Sequence, residues 1–73
     1  MTIKIITGSW AKKYNVPETL ELKDGTSISE ALDGLEIPAG EIGLTVIDGK
    51  ATRRDTELRD GDSLEIYPVI VDG

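Results

Sequence analysis

Five Asp-Gly pairs punctuate this chain: Asp24-Gly25, Asp33-Gly34, Asp48-Gly49, Asp60-Gly61 and Asp72-Gly73. Asp-Gly supplies the positive φ angles that tight turns and helix C-caps require. The first four pairs separate segments of the length of single strands or one short helix. The whole sequence of 73 residues suffices for one independent core and not for two. A chain this short buries only about 60% of the surface its unfolded form exposes. With no Phe, one Trp and two Tyr, its core must be small and aliphatic.

The segments between the turns differ in period. Thr2 to Thr7 is rich in β-branched residues and reads as a strand, with Ile3 and Ile5 on one face and Lys4 and Ile6 on the other. Gly8 to Asn15 holds Trp10, Lys12, Lys13 and Tyr14 without a clean period and reads as a wide loop. Glu18 to Lys23 alternates, placing Leu20 and Leu22 on one side of a half-buried strand. Ser27 and Glu30 have the capping-box spacing, and Ile28, Ala31, Leu32 and Leu35 form one apolar stripe behind them. This predicts a helix of about two turns, too short to persist alone and therefore packed on a sheet. Ile42 to Asp48 reads as a third strand, with Leu44 and Val46 alternating with Thr45 and Ile47. Arg53 to Leu58 is irregular. Ser63 begins a last alternating strand, with Leu64 and Ile66 inward, and Pro68 is expected to end regular pairing.

Two strands, a helix and two strands predict one small mixed sheet with the helix packed across one face. A closing strand lying between earlier ones would keep most edges paired. The expectation is a single α+β domain over residues 1–73 with β-grasp architecture and an extended tail at 68–73.

Composition excludes several functions. Eight Lys and Arg against fourteen Asp and Glu give a net charge of −6. Nucleic acid and anionic membrane are bound chiefly by positive charge, so neither is expected as a partner. No cysteine or histidine is present, which removes disulfides, thiol chemistry, the commonest general base and the usual zinc ligands. No serine has a histidine to activate it, and Asp60, Asp62 and Asp55 sit in turns that need Asp for backbone reasons. There is no calcium loop or phosphate loop. No bound cofactor or metal is expected, and a domain of this size is expected not to be an enzyme by itself. The N-terminus lacks the long apolar core of a signal peptide. The expectation is a cytoplasmic domain, monomeric when alone.

Contact features remain. Trp10 and Tyr14 are either a lid on the small core or an anchor for a partner, the lid being favoured because the core lacks other aromatics. Lys12-Lys13 and Arg53-Arg54 are the basic pairs of an acidic chain, with solvated surface the default for each. Ile6 and Ile47 point away from their strands' other large residues, either under a loop or as an exposed patch. The sheet face near the final strand is expected to hold a partner, with Ile47, Ile66, Tyr67 and Pro68 as the binding candidates. The tail Ile70, Val71, Asp72 and Gly73 is either the end of a strand with a final Asp-Gly turn or a thin carboxylate-ended thread that enters another protein's active site.

The opening T-I-K-I-I, the helix start T-S-I-S-E-A-L-D-G-L, the stretch I-G-L-T-V-I-D-G-K-A and the run D-T-E-L-R-D-G-D-S-L-E-I-Y-P-V-I-V-D-G together resemble the ubiquitin-like sulfur carriers of the ThiS and MoaD type. The resemblance implies a carrier for thiamin or molybdopterin biosynthesis. Its terminal Gly73 would be adenylated by a ubiquitin-activating-type enzyme using ATP, converted to a thiocarboxylate and presented to a sulfur-accepting synthase. The family closes with Gly-Gly, whereas Asp72 is penultimate here. The alternative is a β-grasp interaction or regulatory module that carries no sulfur.

Overall fold

The computed structural model describes residues 1–70. Its strands are β1 (Thr2–Ile6), β2 (Thr19–Glu21), β3 (Ile42–Ile47), β4 (Lys50–Ala51) and β5 (Ser63–Pro68), with helix α1 (Ile28–Asp33) between β2 and β3. The five strands form one sheet in the order β2-β1-β5-β3-β4. Neighbours are antiparallel except for the central pair β1 and β5, which run parallel. The closing strand lies between β1 and β3, as the strand order predicted. This is the β-grasp fold.

The capping box at α1 is complete. The Ser27 hydroxyl accepts from the Glu30 N–H, and the Glu30 carboxylate accepts from the Ser27 N–H. The stripe Ile28, Ala31, Leu32 and Leu35 is buried against Ile3, Ile5, Leu64 and Ile66 of the two central strands. Burial of that stripe, rather than intrinsic propensity, holds a six-residue helix in place. Among the described Asp-Gly pairs, Gly25, Gly49 and Gly61 have positive φ, whereas Gly34 caps α1 in the right-handed region.

Four local expectations are corrected. Gly8 to Asn15 is not a loop, because Ser9–Tyr14 forms a 3₁₀ helix closed by Asn15 in the left-handed conformation. Its period of three stacks Ala11 and Tyr14 on the core side, a pattern invisible to a search at 3.6. The second strand is three residues long, although Leu20 and Leu22 do pack against the core. Pairing does not stop before Pro68: Pro68 lies opposite Ile42, and the Val69 N–H donates to the Glu41 carbonyl. A proline is tolerated there because a strand residue presents its N–H to one side only, and the partner on β3 is served by Val69.

The fourth correction reverses a strand face. The register passes from Ile42 opposite Pro68 to Leu44 opposite Tyr67, so Gly43 is an extra residue, a β-bulge. Ile42 lies in the core, and beyond the bulge Thr45 and Ile47 face the core while the register puts Leu44 and Val46 on the other face, Leu44 exposed and Val46 covered by its neighbours. Thr45 is tolerated inside because its hydroxyl lies 3.0 Å from that of Thr52, which in turn donates to the Thr45 carbonyl.

Candidate docking face

Directly paired residues share a face of a sheet. The helix covers the face carrying Ile3, Ile5, Leu64, Ile66 and Ile47. Residues of the opposite face are read from the register. One row crosses the sheet from Ile6 through Glu65 and Val46 to Ala51, and beside it Leu44 lies opposite Tyr67. No described helix packs over this face, although Val46 at its centre is 9% exposed. Leu44 is 46% exposed, Tyr67 45% and Ile6 38%. Val69 and Ile70 continue the exposed apolar surface where β5 leaves the sheet. Toward β2 the same face becomes polar, with Lys4 between Thr19 and Ser63. A shallow groove of about 830 Å³ runs along that polar end, flanked by Glu18 and Asp60.

Glu65 sits inside the apolar region. The Tyr67 hydroxyl donates to Glu65 Oε2 at 2.6 Å. That hydrogen bond, and the negative charge behind it, raise the Tyr67 pKa above the ordinary tyrosine value. Tyr14 likewise donates to Glu41, and its pKa is raised chiefly by the same kind of bond.

The expected binding residues divide accordingly. Tyr67 lies on the open face and Pro68 at its half-buried border. Ile66 is corrected: at 2% exposure it belongs to the core and offers a partner nothing. Ile47 is likewise corrected, because the Gly43 bulge turns it onto the core. Leu44 takes the exposed outward position instead, with Val46 on the same face but only 9% exposed, and the sequence signal for this was the glycine inside a strand pattern. Ile70 is 89% exposed, while Val71, Asp72 and Gly73 lie outside the described residues. Trp10 packs against the core and also lines the cleft beside Tyr67. Of the basic pairs, Arg54 has a structural task, donating from Nη2 to the Ile42 carbonyl next to the bulge. Arg53 pairs with Asp55 in solvent, and the Lys13 ammonium lies 5.2 Å from the Tyr14 ring centre.

Among the described residues there is no cluster of three potential metal ligands, and no helix is long and apolar enough to cross a membrane. The arrangement leaves a contiguous exposed apolar surface around Leu44, Tyr67 and Ile6.

Comparison with known proteins agrees with this fold. The fold matches the crystal structure of SAMP1 from Haloferax volcanii over the full length of both chains, with a TM-score of 0.76 at 16% identity. Proteins named RnfH from Neisseria meningitidis serogroup C and Neisseria gonorrhoeae are 39% identical over 74 aligned positions, spanning 81% of this chain and 77% of theirs. The family model described as Mut7-C ubiquitin matches residues 12–72. With its β-grasp sheet and these relatives, the chain belongs to the Mut7-C ubiquitin family.

Proposed function

We propose that this protein is a non-catalytic interaction module that docks on a partner protein through the open sheet face. The observation that carries this reading is the contiguous exposure of Leu44, Tyr67 and Ile6 on a face no described helix covers. Three large apolar side chains gathered on one side of so small a domain are suited to burial against another surface. The net charge of −6 favours a partner with a basic rim and faster association at low salt. The test is retention of cellular proteins on immobilised wild type, Leu44→Asp and Lys12→Ala, each first shown to be folded by its thermal transition. The reading requires a protein retained by wild type and Lys12→Ala and lost with Leu44→Asp. Identical retention by all three refutes it.

A second reading keeps the sulfur-carrier role for thiamin or molybdopterin synthesis, supported by the resemblance of the run from Asp55 to Gly73. In it an adenylating enzyme activates Gly73 with ATP, sulfur replaces one carboxylate oxygen, and a synthase accepts that sulfur. The docking face would then serve the activating enzyme. Asp72 weighs against it, since a carboxylate at ~8 Å from ATP phosphates, at an effective dielectric near ~20, is repelled by roughly 2 kcal/mol. Intact mass after incubation with an activating enzyme, ATP and a sulfur donor decides it. An unchanged mass, with a control carrier converted in parallel, excludes the role.

A further inference from the structure

A cleft of about 280 Å³ opens at the border of the docking face, between the 3₁₀ helix and the end of β5. Trp10 and Tyr67 line it together with Ile6, Gly8 and Pro68. Gly8 has a specific part in it: a Cβ there would meet Trp10 Cδ1 at 3.1 Å, so glycine lets the indole lie close to the chain. Glu65 is the charged side chain of the lining. Its Oε2 accepts from Tyr67, which fixes the carboxylate, and its Oε1 has no partner among the described residues. No described cation forms an ion pair with it.

We propose that this cleft receives an arginine side chain of the partner protein, stacked beside Trp10 and Tyr67 with its guanidinium on Glu65. The proposal rests on the docking reading and names the chemistry of its border. Two aromatic residues and one carboxylate in a mainly apolar cleft suit a cation with an aliphatic stem. The methylenes cover the apolar wall, the ring faces attract the positive charge, and the carboxylate supplies a charge-assisted hydrogen bond. Arginine fits better than lysine because its planar, weakly hydrated guanidinium both stacks and forks. A neutral apolar side chain would instead cover Glu65 and leave its charge with the Tyr67 hydroxyl alone and no cation or water on Oε1, which is unfavourable.

Trp10 is the chain's single tryptophan, so its indole N–H resonance reports on the cleft directly. The experiment titrates the ¹⁵N-labelled protein with N-acetylarginine amide, and separately with the lysine and citrulline amides, at constant ionic strength. The expected result is saturable movement of the Trp10 indole signal with the arginine probe in the millimolar range. Citrulline, which keeps the shape and lacks the charge, should bind about tenfold more weakly, and Glu65→Gln should weaken arginine binding about tenfold as well. Arginine and citrulline titrating alike, a Glu65→Gln protein that binds as wild type, or no saturable movement each overturns the proposal. The probes need no partner protein, so the docking reading is judged separately. If arginine fails while Leu44→Asp still strips the partner, docking stands and the arginine site falls.

Discussion

The bulge at Gly43 decides which side chains reach the open face, and alanine at that position tests it most directly. A Cβ on residue 43 would lie 2.7 Å from the Pro68 carbonyl oxygen, 2.9 Å from its carbon and 3.0 Å from Val69 Cα. All three are backbone atoms of the neighbouring strand, so no side-chain rotation relieves the contact. β3 and β5 must separate locally, at the place where the Arg54 side chain bonds the Ile42 carbonyl. Overpacking of this kind costs about 1–3 kcal/mol. The stiffer unfolded chain offsets about 0.4–1 kcal/mol of that. Contacts under 3.0 Å with backbone atoms put the overpacking cost in the upper half of its range, about 2–3 kcal/mol. The net loss is then about 1–2.6 kcal/mol, and at about 4–8 °C per kcal/mol for a domain of this size, Tm should fall by roughly 4–21 °C. The control is Gly40→Ala, whose Cβ would meet nothing within 4 Å and whose φ is not positive. Circular dichroism melts of both variants beside wild type are the assay. The refuting result is a Gly43→Ala protein that melts with wild type or with Gly40→Ala.

Three further outcomes follow from the same structure. Ile47→Asp should destabilise the domain by about 2–3 kcal/mol, because Ile47 packs against the core, whereas Leu44→Asp on the open face should stay within about 0.5 kcal/mol; urea midpoints separate the two. Ser27→Ala removes the cap oxygen from the Glu30 N–H and should cost about 1 kcal/mol, read as a Tm lower by about 4–8 °C. Alkaline titration at the tyrosinate absorbance should show both tyrosines ionising above their ordinary pKa of 10.0, Tyr14 held by Glu41 and Tyr67 by Glu65. The folded state holds these protons more tightly than the unfolded chain. Their contribution to stability is therefore complete below the unfolded pKa and lost as pH rises through the folded values. Glu65→Gln should lower the Tyr67 midpoint and leave that of Tyr14 in place.

Much of this domain was legible before its tertiary structure. The Ser27 and Glu30 spacing located the helix start because a capping box is satisfied within four residues. The stripe of Ile28, Ala31, Leu32 and Leu35 identified its buried face. The β-branched start and the Leu64 and Ile66 alternation identified the two central strands, and the element order led to the β-grasp sheet. These signals are local or strictly periodic, so one dimension carries them.

What the chain left open depended on contacts between residues distant in sequence. The 3₁₀ helix at Ser9–Tyr14 exists because Ala11, Trp10 and Tyr14 find the core, and its period of three is not one that α-helix or strand periodicity announces. Strand pairing through Pro68 depends on Glu41 and Ile42 arriving opposite it. The reversal at Gly43 put Ile47 inside and Leu44 outside, because one unpaired residue shifts every following side chain to the other face. Alternation in the sequence determined which residues share a side of β3. Only the pairing of β3 with β5 decided which side meets the helix and which is left for a partner.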